Sequence, residues 1–157
     1  MNLRELRLSY GISQKEASCS VNVPLRTYIR YENLNDESNI KYSKIVDLLK
    51  EKYEITEDKG ILSIENIKNI VSNVFKNYGD KINYCYLFGS YAKGYAKESS
   101  DIDLCIDTKL TGLAFVGLIE KLRQSLKKNI DLLRIQDITD KLELLNEIMK
   151  DGIKIYG

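Results

Sequence analysis

The spacing of apolar residues changes near residue 80, and that change confines the chain to a mixed architecture. Upstream, apolar side chains recur every three or four positions, as on one face of a helix; downstream, short runs read as strands. Leu3, Leu6 and Tyr10 mark a first helix, broken at Gly11. Ser13-Gln14-Lys15-Glu16 is a capping box and predicts a second helix that ends near Val21-Asn22. Pro24 suits the first turn of a third helix running to about Glu32, since proline has no amide to leave unpaired there. Tyr42, Ile45, Val46, Leu49 and Tyr53 share a face of a fourth, and Ile64 through Tyr78 form a fifth, closed by Gly79. Ile82 to Phe88, Asp101 to Asp107 and Ile130 to Ile135 read as strands, with helices from about Gly117 to Lys128 and Thr139 to Lys150. The expectation is an α+β chain: an all-α domain over residues 1–53, a linker over 54–62 and a small α/β domain over 63–157.

Histidine is absent from the 157 residues, which removes Ser-His-Asp catalysis, Cys-His pairs and the usual zinc and non-haem iron sites. Cys19, Cys85 and Cys105 are odd in number and widely spaced, as reduced thiols would be. Any metal must therefore be held by oxygen. No apolar run approaches the roughly 18 residues of a membrane span, and the first residues lack the apolar core of a secretory signal, so no membrane partner and a cytoplasmic location are expected. With 24 basic and 23 acidic side chains, net charge alone predicts no polyanion partner.

The chemistry-bearing stretch is Leu87-Phe88-Gly89-Ser90-Tyr91-Ala92-Lys93-Gly94, followed by Ser99-Ser100-Asp101-Ile102-Asp103-Leu104. In a strand, positions i and i+2 share a face, so Asp101 and Asp103 project together while Ile102 and Leu104 turn to the core. Paired carboxylates repel unless a cation lies between them, and Mg²⁺ is the natural occupant because it accepts one or two carboxylates and fills its sphere with water and phosphate oxygens. Gly89 lets backbone approach a phosphate closely, and Ser90 and Lys93 offer a hydroxyl and a point charge to the same group. Asp131 opens the later strand; if that strand neighbours the Asp101 strand, three carboxylates converge, the equipment of two-metal phosphoryl or nucleotidyl transfer.

Gly89-Ser90, ten residues, then Asp101-Ile102-Asp103 resembles the signature of the minimal nucleotidyltransferases of the DNA polymerase β superfamily, over about residues 64 to 157. The resemblance implies a polymerase β palm-like domain. It implies two Mg²⁺ ions on Asp101, Asp103 and Asp131, with Asp131 helping to take the proton from the nucleophile, and ATP as substrate held by Gly89, Ser90 and Lys93. Relatives of this size are often antitoxins that adenylylate a tyrosine of a HEPN-type toxin. Lacking histidine, this chain cannot supply the Arg-x-x-x-x-His centre of such a toxin, so it would be the other half of the pair.

Within residues 1–31, Arg4, Arg7, Lys15, Arg26 and Arg30 outnumber Glu5 and Glu16, five against two. The run from Leu6 through Pro24-Leu25-Arg26-Thr27-Tyr28-Ile29-Arg30-Tyr31-Glu32 resembles the helix-turn-helix of phage-repressor-type (XRE) regulators. That resemblance points to Gln14, Arg26, Thr27 and Arg30 for double-stranded operator DNA, with Tyr28 and Tyr31 turned inward, and paired half-sites would require a homodimer. Ser18 and Asn22 depart from the pattern, replacing a small alanine and the turn glycine, and asparagine tolerates the left-handed conformation the turn demands. The alternatives are a transcriptional regulator whose second domain binds nucleotide or toxin without catalysis, and transfer to a small molecule, for which little sequence remains to build an acceptor pocket.

Overall fold

Asn2 and Ser13 each start a helix by the same exchange, a side-chain oxygen accepting from the backbone three residues on while Glu5 or Glu16 reaches back to the cap amide. The computed structural model describes residues 1–157, which form two units, Met1–Glu54 and Ile55–Gly157.

The first unit contains α1 (Leu3–Ser9), α2 (Gln14–Ser20), α3 (Leu25–Leu34) and α4 (Ile40–Tyr53). Pro24 caps α3 in extended conformation, one position before its first turn. Asn22 takes the left-handed turn before it, at φ 56°. Leu3, Leu6, Ala17, Tyr28, Ile45 and Leu49 are buried together. The Tyr42 hydroxyl donates to Asn35 Oδ1 (2.6 Å) and accepts from the Leu3 amide (2.9 Å), tying α4 to both ends of that core. A buried ion pair crosses it: Arg7 Nε donates to Glu32 Oε2 at 2.9 Å and Arg7 Nη2 to Oε1 at 3.0 Å.

The second unit runs α5 (Ile64–Phe75), a 3₁₀ turn over Lys76–Lys81, β1 (Ile82–Phe88), α6 (Gly89–Lys93), β2 (Ile102–Thr108), α7 (Gly112–Leu126), β3 (Ile130–Arg134), α8 (Leu142–Asp151) and β4 (Ile153–Tyr156). The sheet order is β3-β2-β1-β4. β1 is antiparallel to β2 and β4, whereas β2 and β3 are parallel, α7 making the crossover that a parallel pair requires. Ile67, Val71 and Phe75 of α5 and Leu118, Leu122 and Leu126 of α7 bury one face of the sheet with Leu104 and Ile106. The other face carries Phe88 and Cys105 under Ile148 of α8.

Several boundaries differ from the sequence reading. α5 stops at Phe75, and Gly79 lies within the 3₁₀ turn that follows. α7 begins five residues earlier than expected because its first turn is solvent-facing, with Leu113 91% exposed, so no apolar stripe announces it. Residues 55–62 lie inside the second unit, where Thr56 and Lys59 pair as a β-bridge and Ile55 and Leu62 pack on its core. No helix is long and apolar enough to cross a membrane.

Candidate active site

β1 ends at Phe88, and the backbone turns at Gly89 with φ +69°. A Cβ at Gly89 would collide with the carboxylate of Asp103, lying 2.9 Å from its Cγ. The missing side chain thus leaves the room Asp103 occupies, and the positive φ is one that L side chains rarely adopt. Asp103 pairs with Phe88 on β1 and with Asp131 on β3. Asp101 immediately precedes β2, two positions before Asp103. The same parity continues through Cys105 and Asp107, placing this row on the face covered by α8.

Asp101 and Asp131 are exposed and Asp103 is half-buried. Burial, then the neighbouring charges of Asp131, Asp101 and Glu147, pushes the Asp103 carboxyl up to about 6. No hydrogen-bond donor acts on it in compensation. A carboxylate crowded by like charge and lacking a donor is suited to a hard cation. No group of three acidic side chains is drawn tightly enough to enclose an ion by itself, so a bound cation would complete its sphere with water or phosphate oxygens, as Mg²⁺ commonly does at phosphates. The carboxylate chemistry of Asp103, beside Asp131 across the strands and two positions after Asp101, suits a hard cation whose remaining ligands come from outside the chain.

Ser90 stands in the first turn of α6, partly buried, and Tyr91 beside it packs into the core. Tyr95 is exposed. The structure gives Lys93 a partner the sequence did not suggest: its Nζ donates to Glu147 Oε1 of α8 at 2.7 Å. That hydrogen bond is the chief reason the Lys93 pKa is raised. Glu147 is the site residue that sequence reasoning missed, since it lies 54 positions from Lys93 and nothing in chain order links them. Asp107, set aside as a solvated strand end, accepts from Asn83 Nδ2 at 2.8 Å.

In the first unit, Arg26 and Arg30 are exposed, and with the half-buried Thr27 they line one groove beside Asn33 and Leu34. Gln14 is not free alongside them: its Nε2 donates to Glu32 Oε1 at 3.1 Å, holding it against the Arg7 ion pair. Tyr28 and Tyr31 are buried.

The family model described as "Polymerase beta, Nucleotidyltransferase" matches residues 65–157. The chain belongs to this polymerase beta nucleotidyltransferase family. The family match covers the part of the second unit that holds the Gly89 turn and all three aspartates, and the first unit lies outside it. Within the family, the chain is similar to the protein adenylyltransferase MntA of Shewanella oneidensis, 28% identical over 93 residues. That similarity takes in 57% of this chain and spans 65% of the relative's length. A crystal structure of a toxin-antitoxin with AMP-PNP superposes at a TM-score of 0.51 with 26% identity, over 57% of this chain and 73% of the other. A mutant MntA-HpeT toxin-antitoxin structure, at 24% identity and a TM-score of 0.50 over the same 57% of this chain and 73% of its own, shares the fold.

Proposed function

We propose that the second unit transfers AMP from ATP to an acceptor hydroxyl, and that the acceptor is a tyrosine of a HEPN-type toxin for which this chain is the antitoxin. The observation that carries the reading is the direct pairing of Asp103 with Asp131, with Gly89 leaving room for the Asp103 carboxylate. The similarity to an adenylyltransferase and to a toxin-antitoxin crystallised with AMP-PNP supports both nucleotide and partner.

Asp101, Asp103 and Asp131 would hold two Mg²⁺ ions, which when bound acidify the attacking hydroxyl and neutralise the triphosphate and its leaving group. Gly89 brings backbone close to the phosphates, and Ser90 adds a hydroxyl to them. Asp131, exposed on the edge strand β3, would receive the proton of the attacking hydroxyl. Lys93 joins the phosphates by exchanging Glu147 for a phosphate oxygen.

The first unit is proposed to bind double-stranded operator DNA through α3, so that the antitoxin also represses its own gene as a homodimer on paired half-sites. The exposed Arg26 and Arg30 beside Thr27, after a left-handed turn at Asn22, support this reading. Gln14 would reach the DNA backbone by giving up Glu32.

Incubation with Mg²⁺, ATP labelled at the α-phosphate and the product of the neighbouring gene tests the assignment. Label on the partner, lost in Asp103→Asn, is expected. A tightly bound but unlabelled partner would instead mean a regulator that docks without catalysis.

A further inference from the structure

Lys128 is fully buried, with 0% of its surface exposed. It follows Lys127, whose left-handed backbone at φ 56° closes α7, and precedes Asn129, whose carbonyl accepts the amide of Ile102 at the start of β2 (2.9 Å). Its Nζ meets no carboxylate; it donates to three backbone carbonyls, those of Glu98, Lys59 (3.2 Å) and Glu57 (3.3 Å). An ammonium has three N–H donors, so this cage uses its whole capacity. The turn it grips is held elsewhere too: Ser100 N donates to Lys97 O (3.0 Å), Lys97 N to Ser100 Oγ (2.8 Å), and Gly60 N to Glu98 Oε1 (3.2 Å).

Burying an ammonium is costly unless its partners stand in place, and these three part-buried carbonyls, drawn from two separate segments, supply them. The two halves therefore fix each other. Glu98 lies three residues before Asp101, and Lys128 three residues before Asp131. One side chain thus links the segments that deliver the two outer carboxylates of the site.

We propose that Lys128 is a positioning residue, a built-in cation that locks the Lys97–Ser100 turn to the start of β3 and so sets Asp101 against Asp103 and Asp131. The functional part of this statement rests on the transferase reading above; the mechanical part does not.

The test is amide hydrogen exchange on the intact chain without metal, comparing wild type with Lys128→Met, which keeps the apolar stem and removes the charge. Exchange at Ser100–Asp103 should accelerate at least tenfold, while Ile67–Val74 of α5 keep their protection. Lys128→Ala provides the second variant: n-propylammonium, which replaces the missing stem and head, should restore protection at Ser100–Asp103, and 1-propanol should not. If Lys128→Met fails to fold, the same comparison is read from Lys128→Ala as n-propylammonium is withdrawn. Mn²⁺ affinity, followed by the free-ion paramagnetic signal, should fall about tenfold in Lys128→Met. Unchanged exchange at Ser100–Asp103, or acceleration spread evenly through α5 and α7, would overturn the proposal. Mn²⁺ binding that survives Asp103→Asn would count against the transferase reading instead, leaving the exchange result to stand by itself.

Discussion

Asp103 on β2 and Asp131 on β3 stand directly opposite each other in a parallel register, so both carboxylates leave the same face of the sheet. Parallel pairing forces this adjacency once Ile102 is matched with Ile130, and a slip of one residue would send Asp131 to the α5 and α7 side. The site is therefore a consequence of strand register, and it depends on the one position whose side chain would fill it.

That position is Gly89. Gly89→Ala places a methyl against the Asp103 carboxylate at a backbone angle alanine resists. A stability loss of roughly 1–2 kcal/mol is expected from the backbone alone. Transfer activity should drop at least a hundredfold, because the carboxylate must rotate away. Thermal unfolding and label transfer check the two effects.

The raised carboxyl of Asp103 gives a pH dependence with a definite sign. Between the ordinary aspartate value and about 6, the folded metal-free protein binds more protons than the unfolded chain, so the second unit loses stability as pH rises through that window. Asp103→Asn should flatten the curve and raise the Tm at pH 7, and millimolar Mg²⁺ should flatten it in the wild type. Unfolding followed from pH 4 to 7 shows whether it does.

Lys93 is held by Glu147 in the structure. If Lys93 serves the phosphates, Glu147→Gln frees it, and the KM for ATP should fall several-fold with kcat changed less. Lys93→Ala should raise KM instead.

The Arg7–Glu32 pair is buried, and removing one partner strands the other. Glu32→Ala should cost the first unit about 3–5 kcal/mol. Burial pushes the Glu32 carboxyl up, but hydrogen bonds from Arg7 and Gln14 hold it below the ordinary value. The stability it confers is present above the unfolded pKa and is lost as pH falls through the lower folded one. Acid unfolding monitored in the first unit should lose this step in the variant.

Arg26→Ala and Arg30→Ala should each weaken binding to promoter DNA and lower the salt slope by about 1 if the lost contact is to phosphate. Titrations at several salt concentrations measure this.

The sequence carried the row of carboxylates because a period of two is local: Asp101 and Asp103 declare their shared face without reference to any other segment. The adjacency of Asp131 depended on which strands pair, which is a tertiary fact. β4, four residues from Ile153 to Tyr156, is too short to announce itself and exists because it completes the edge beside β1. Lys128 read as the polar end of a helix, since a lysine after an amphipathic stripe is ordinarily solvated; only the fold brings three carbonyls around it. Gln14 was legible as part of a helix start, but its tie to Glu32 depends on a residue 18 positions away.

The most direct measurement is a crystal structure with Mn²⁺ and a non-hydrolysable ATP analogue, read by anomalous scattering. The account predicts manganese bound at about 2.1 Å, near the Mg²⁺–oxygen distance, to carboxylate oxygens of Asp101, Asp103 and Asp131, with the triphosphate against Gly89 and Ser90. Nucleotide bound elsewhere, or no anomalous peak at these aspartates, would contradict it.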